Sequence, residues 1–225
     1  MSVKTIVRRV FTLVVMFLAY QIGEAFVLVP GLISRGTTPV VYTAILFSAI
    51  FGGLIALLWR VYATNHQADQ DPFIHRQPFD GKRALLMVGL IVALFAVQAL
   101  SSVLISHQVA SESQNQDLLL QYLAESPLAM TLIVVVGAPP VEELLFRGLL
   151  MQAVPHPEKK SWRWLAAGLS AIVFGLAHAG VSDPVNLLVY SAMGFVFASA
   201  YTLTGDLRYS IGLHMLNNFA ALFLP

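Results

Sequence analysis

Cysteine is missing altogether from this 225-residue chain, and charge is scarce, with only 11% of residues Asp, Glu, Lys or Arg. The first absence excludes disulfides, zinc thiolates and a cysteine nucleophile. The second separates the chain from soluble domains, which usually carry about 25% charged residues. Net charge is close to zero, at +1, so the composition gives no basic surface for nucleic acid. No long low-complexity tract or internal repeat stands out. What is abundant is apolar: 57% hydrophobic residues and a mean hydropathy of +0.75. That combination predicts an all-α, polytopic membrane helix bundle.

Crossing about 30 Å of hydrocarbon takes roughly 20 apolar residues. Seven stretches approach that length: Ile6–Val29, Val40–Val61, Ala84–Ser106, Leu128–Val154, Trp164–Val181, Val185–Thr204 and Tyr209–Leu224. The expectation is about seven transmembrane helices, the fourth kinked by Pro139 and Pro140. The first, preceded by Lys4, Arg8 and Arg9, is longer than a signal-peptide core and lacks a small-x-small cleavage site, so it reads as a retained helix. Glu24, near its outer end, reads as interfacial. The predicted division is a two-helix membrane segment over 1–62, a cytoplasmic linker over 63–83 and a five-helix membrane segment over 84–225. On this division the first two helices carry little chemistry.

Orientation follows from the distribution of Lys and Arg. A cytoplasmic N-terminus puts Lys4, Arg8, Arg9, Arg60, Arg76, Lys82, Arg83, Lys159, Lys160, Arg163 and Arg208 inside and only Arg35 outside. The segment from His107 to Ser126 has Glu112, Asp117 and Glu125 but no Lys or Arg, as an external loop would. The expected topology is N-terminus in and C-terminus out, in the membrane of a bacterial cell.

Against this apolar background, Glu142, Glu143 and Arg147 stand out inside the fourth span. A charge at bilayer depth costs roughly 2.5–3.5 kcal/mol on insertion scales and is a functional hypothesis by default. Residues four apart share a helix face, so Glu143 and Arg147 can pair, while Glu142 is turned away by about 100°. If Arg147 neutralises Glu143, Glu142 remains a carboxylate free to act on water. The competing reading makes both glutamates interhelical clamps. Phe174 and His178 are also four apart, so the ring can buttress the imidazole. His214 and Asn218 share a face of the last span and are either oxyanion donors or polar glue between helices. Asn217 faces elsewhere and is the weaker candidate. No Gly-x-Ser-x-Gly occurs, and Gly205-Asp206 finds no second intramembrane aspartate for a dyad.

The ordered set Glu-Glu-x-x-x-Arg, Phe-x-x-x-His and His-x-x-x-Asn, on successive apolar segments within 127–224, resembles the type II CAAX prenyl endopeptidase family. That family is also described as the CPBP or Abi family of CAAX proteases and bacteriocin-processing or immunity proteins. The resemblance implies an intramembrane endopeptidase, a peptide hydrolase in which Glu142 activates water. His178 assists, and His214 and Asn218 form an oxyanion pocket. Glu143, Arg147 and Phe174 support them. It implies a membrane-associated peptide or protein substrate, a prenylated CAAX tail being the family's best-known kind. The preferred chemistry needs no metal cofactor. If catalysis uses zinc, Glu142, His178 and His214 supply the ligands. Two other classes remain open: a non-catalytic scaffold or bacteriocin-immunity protein with the same fold, and a proton-coupled transporter.

Overall fold

The computed structural model describes residues 2–33, 40–69, 78–111, 113–155 and 159–223. Arg35, Arg76, Glu112 and Leu224, which enter the topology and span expectations, lie outside them. The described residues form eight helices and no strand: α1 Val3–Ile33, α2 Val40–Asp69, α3 Gly81–Ser106, α4 Gln114–Glu125, α5 Pro127–Ala153, α6 Lys160–Ala179, α7 Pro184–Thr204 and α8 Leu207–Ala221. The protein is an integral membrane protein built as a helical bundle.

Five of these helices, α1, α2, α3, α5 and α7, are long and apolar enough to cross a membrane. The other two expected spans do form helices, but differently. The first turn of α6 carries Lys160 and Arg163, the latter between Trp162 and Trp164. The 15 residues of α8 extend only about 22 Å at 1.5 Å per residue. Two further expectations need correction. The polar stretch after Tyr62 stays helical through Asp69, since loss of hydropathy does not end a helix when no Pro or Gly follows. The segment from His107 to Ser126 is not a plain loop, because it contains α4.

Side-chain caps set several of the ends. Asp80, Ser113, Asp183 and Asp206 accept hydrogen bonds from backbone amides in the first turns of α3, α4, α7 and α8. The Asp80 carboxyl is held below its usual range, chiefly by the Arg83 backbone amide. Gly205, with φ 72°, closes α7 in a left-handed conformation that costs glycine little.

The central helix is α5. Most of its side chains are buried, whereas α1, α2 and α3 turn much of their surface outward, as lipid-facing helices do. Pro139 and Pro140 do not break α5; they change its winding. It widens into π-helical turns at Leu132–Gly137 and Leu144–Leu150, on either side of the glutamates. The Ala138 amide reaches back to Ile133 O. Pro139 has no N–H to offer Val134 O in its place. That carbonyl, freed inside the bundle, takes a hydrogen bond from Asn218 Nδ2 of α8 at 2.9 Å. Tight approaches bring the remaining elements in. A Cβ at Gly175 of α6 would lie 2.8 Å from Leu187 O of α7, and one at Gly137 of α5 would lie 2.5 Å from the Phe51 ring of α2. Only glycine permits either contact.

Candidate active site

Glu143 and Arg147 form the buried base of the site, as their spacing predicts. Both side chains are fully enclosed, with Arg147 Nη1 2.9 Å from Glu143 Oε1. The guanidinium also donates from Nη2 to Gly194 O at 2.6 Å and lies against the rings of Phe146, Phe174 and Phe197. Glu143 receives two further donors from α8: the Ser210 hydroxyl at Oε2 and His214 Nδ1, 2.9 Å from Oε1. Its oxygens are thus occupied by Arg, Ser and His together. Such a carboxylate ties α5 to α8 and is not available as a base.

Glu142, one residue earlier, points away from this base into a cavity of about 640 Å³. Its Oε1 accepts from the Tyr20 hydroxyl at 2.9 Å. Its Oε2 is buried and has no hydrogen-bond partner among the described residues. It lies 3.7 Å from His178 Nε2 and 3.8 Å from His214 Nε2.

The orientation of each imidazole has a visible cause. His178 Nδ1 is 2.8 Å from Phe174 O, and its ring is sandwiched between Phe174 and Tyr190, with centroids 4.1 Å and 5.1 Å away. His214 stacks on Phe197 at 4.5 Å while its Nδ1 meets Glu143. A carbonyl and a carboxylate can only accept, so both Nδ1 atoms carry hydrogen, and a ring in its neutral form presents a bare Nε2. Three acceptors, Glu142 Oε2 and two Nε2 atoms, therefore converge with no donor among them. A water molecule, with two hydrogens, is the smallest neutral species that suits such a place. A metal is a second way to satisfy converging lone pairs. As the side chains stand, no group of three His, Cys, Asp or Glu among the described residues is arranged to hold one.

Two expectations about neighbouring residues change. Asn217 does not face away. It is buried, lines the same cavity, accepts from Gln98 Nε2 of α3 at 2.5 Å and donates to Asn218 Oδ1 at 3.1 Å. Asn218, which also lines the cavity, uses one N–H on Val134 O. The first helix also reaches the cavity. Tyr20 reaches Glu142, and Glu24, expected at the interface, meets Tyr20 Oη at 2.8 Å on the cavity wall. The only sequence signal for this was an acidic residue one turn after a tyrosine inside an apolar span.

A comparison with known families matches the segment that carries the site. Residues 124–220 match the family described as type II CAAX prenyl endopeptidase Rce1-like. All three motifs fall inside that range. The expected likeness to the type II CAAX prenyl endopeptidases stands. A Bacillus subtilis (strain 168) protein named "Putative membrane peptidase YdiL" is 31% identical over 133 residues, 59% of this chain and 52% of its own length. The chain therefore spans about half the length of that curated relative. No solved structure matches the chain.

Proposed function

We propose that this chain is an intramembrane endopeptidase in which Glu142 activates water to hydrolyse a peptide bond. The observation that carries this reading is the division between adjacent carboxylates: Glu143 is saturated by Arg147, Ser210 and His214, whereas Glu142 keeps one buried oxygen without a partner beside two imidazoles. Water placed there donates to Glu142 Oε2 and to one Nε2, which turns an oxygen lone pair towards a substrate carbonyl. Glu142 takes the proton as the water oxygen bonds to the carbonyl carbon. The resulting acid then delivers that proton to the departing amine as the C–N bond breaks. In this reading the remaining Asn218 N–H donates to the oxyanion. His214 Nε2 can add a second donor only as the imidazolium, because Nδ1 is committed to Glu143.

The substrate in this reading is a membrane-associated peptide or protein, either a prenylated CAAX-type tail or a bacteriocin-type precursor. The cavity leads from the glutamate to polar side chains of α3 and α4, including Gln98, Ser102 and Gln116. That wall suits a peptide backbone. Orientation belongs to the same proposal, with the N-terminus cytoplasmic and the C-terminus external. Arg9 Nη1 donates to Gln152 O, and the Tyr209 hydroxyl to Pro78 O. These contacts gather the start of α1, the end of α5 and the starts of α3 and α8 at one end of the bundle, where the basic residues concentrate.

The test is Glu142→Gln in the full chain, reconstituted in vesicles and assayed with quenched-fluorescent peptides. Turnover should vanish while thermal stability stays near wild type, since an amide cannot take the proton from water. Near-normal cleavage by this variant would remove Glu142 as the base. A wild type that cleaves nothing, yet moves protons or solute across the vesicle, would favour the carrier.

A further inference from the structure

The Tyr20 hydroxyl lies within hydrogen-bond distance of two carboxylates at once, 2.8 Å from Glu24 Oε1 and 2.9 Å from Glu142 Oε1. A phenol has one hydrogen, and an ionised carboxylate has none. Two contacts at these distances therefore need a second hydrogen, carried by one of the two acids. Glu142 is the poorer place for it. Its Oε2 is too far from either imidazole, at 3.7 Å and 3.8 Å, to donate to them. A proton on its Oε1 would turn the Tyr20 hydrogen towards Glu24 and leave Glu142 neutral, unable to take a proton from water. A proton on Glu24 Oε1 keeps Glu142 ionised, and Gln21 Nε2, 3.2 Å from Glu24 Oε2, still gives the other oxygen of that acid a donor.

We propose that Tyr20 and Glu24 of the first helix are positioning residues for Glu142: Glu24 is held as the neutral acid and donates to the Tyr20 oxygen, and Tyr20 donates to Glu142 Oε1. This rests on Glu142 being the base. The chain of two hydrogen bonds fixes which Glu142 oxygen is occupied and leaves Oε2 towards the histidines. It also puts a neutral side chain, not a second anion, next to the ionised base in a low-dielectric site. The Tyr20 ring is itself braced edge-on by Phe17 at 6.5 Å and Phe51 at 6.2 Å, so its hydroxyl has little freedom to swing away. Both residues lie outside residues 124–220, where the family match is found. The first helix thus completes a site whose motifs are all elsewhere.

Isotope-edited infrared spectroscopy of the full chain in vesicles, with glutamate carboxyls carbon-13 labelled, reads the proton directly and needs no substrate. At neutral pH the wild type should show a protonated-carboxyl stretch that is absent from Glu24→Gln, shifted in Tyr20→Phe and retained in Glu142→Gln. No such band, or a band lost in Glu142→Gln instead of Glu24→Gln, overturns the proposal. On a cleaved quenched-fluorescent peptide, Tyr20→Phe should lower kcat about 10- to 100-fold with KM little changed. Glu24→Gln, whose amide still donates to the phenol, should keep more of kcat than Glu24→Ala. Equal losses in the two Glu24 variants, or wild-type kcat in Tyr20→Phe, would also overturn it. If Glu142→Gln cleaves normally, the base assignment has failed, and the infrared result still decides where the proton sits.

Discussion

Replacing Glu143 with glutamine separates a structural carboxylate from a chemical one. The substitution changes almost no volume. It removes the charge opposite Arg147, which is fully buried away from bulk solvent. It also replaces one carboxylate oxygen with an NH2 group that faces a donor, either the Ser210 hydroxyl or the Arg147 and His214 pair. Breaking a buried ion pair by removing one partner costs about 3–5 kcal/mol. The total stability of a domain is roughly 5–15 kcal/mol, so the loss is a large share of it. At roughly 2–4 °C per kcal/mol for a chain of this size, the melting temperature should fall by about 6–20 °C. Thermal unfolding of the purified protein, followed by intrinsic tryptophan fluorescence, measures this, and Glu142→Gln is the control that should hardly move. A Glu143→Gln variant that melts with the wild type would refute the argument that this carboxylate exists to neutralise Arg147.

Removing an oxyanion donor typically costs about 10²–10³ in kcat, so Asn218→Ala should show a kcat loss of that order at similar KM. Asn217→Ala should also be costly, because Asn217 orients the Asn218 amide; a mild effect at Asn217 would show that the Gln98–Asn217–Asn218 chain does not matter in the working enzyme. Protein stripped of metal, and verified by elemental analysis, should keep its peptidase activity, whereas activity that returns only with stoichiometric zinc would move Glu142, His178 and His214 into ligand roles. In the cysteine-free background, Gln114→Cys, an exposed position at the start of α4, should label from the external side; labelling only from the cytoplasmic side would invert the topology.

Hydropathy locates the helices well because lipid leaves the backbone few alternatives. It fails where a helix is not held by lipid. The α4 helix is short and nearly neutral in hydropathy, capped by Ser113 and tied to α7 through Tyr190, so no apolar run announces it. The end of α2 escapes hydropathy for the same reason, since the residues after Tyr62 are polar and continue the helix. Spacing works within one helix and stops at its edge. Glu143 with Arg147 and Phe174 with His178 were legible because four residues return the chain to one face. Tyr20 against Glu142 was not, because 122 residues separate them and only the packing of α1 on α5 joins them.

Asn217 and Asn218 show where the angular argument is too coarse. Neighbours diverge by about 100° around a helix axis, which separates faces when each side chain meets a different surface. Here the cavity covers a wide arc of α8, with α3 closing one side and α5 the other, so both amides line it. The two readings of His-x-x-x-Asn, oxyanion donor or interhelical glue, then cease to compete. Pro139 deprives Val134 O of an intrahelical donor, the π-turn sends the Ala138 amide elsewhere, and Asn218 fills the gap with one N–H. That bond, together with the Asn217 donor at Oδ1, fixes the amide plane and hence the direction of its second N–H. An oxyanion donor has to be fixed before the reaction begins, because reorienting it during the reaction would forfeit much of its advantage. The glue is what makes the donor useful.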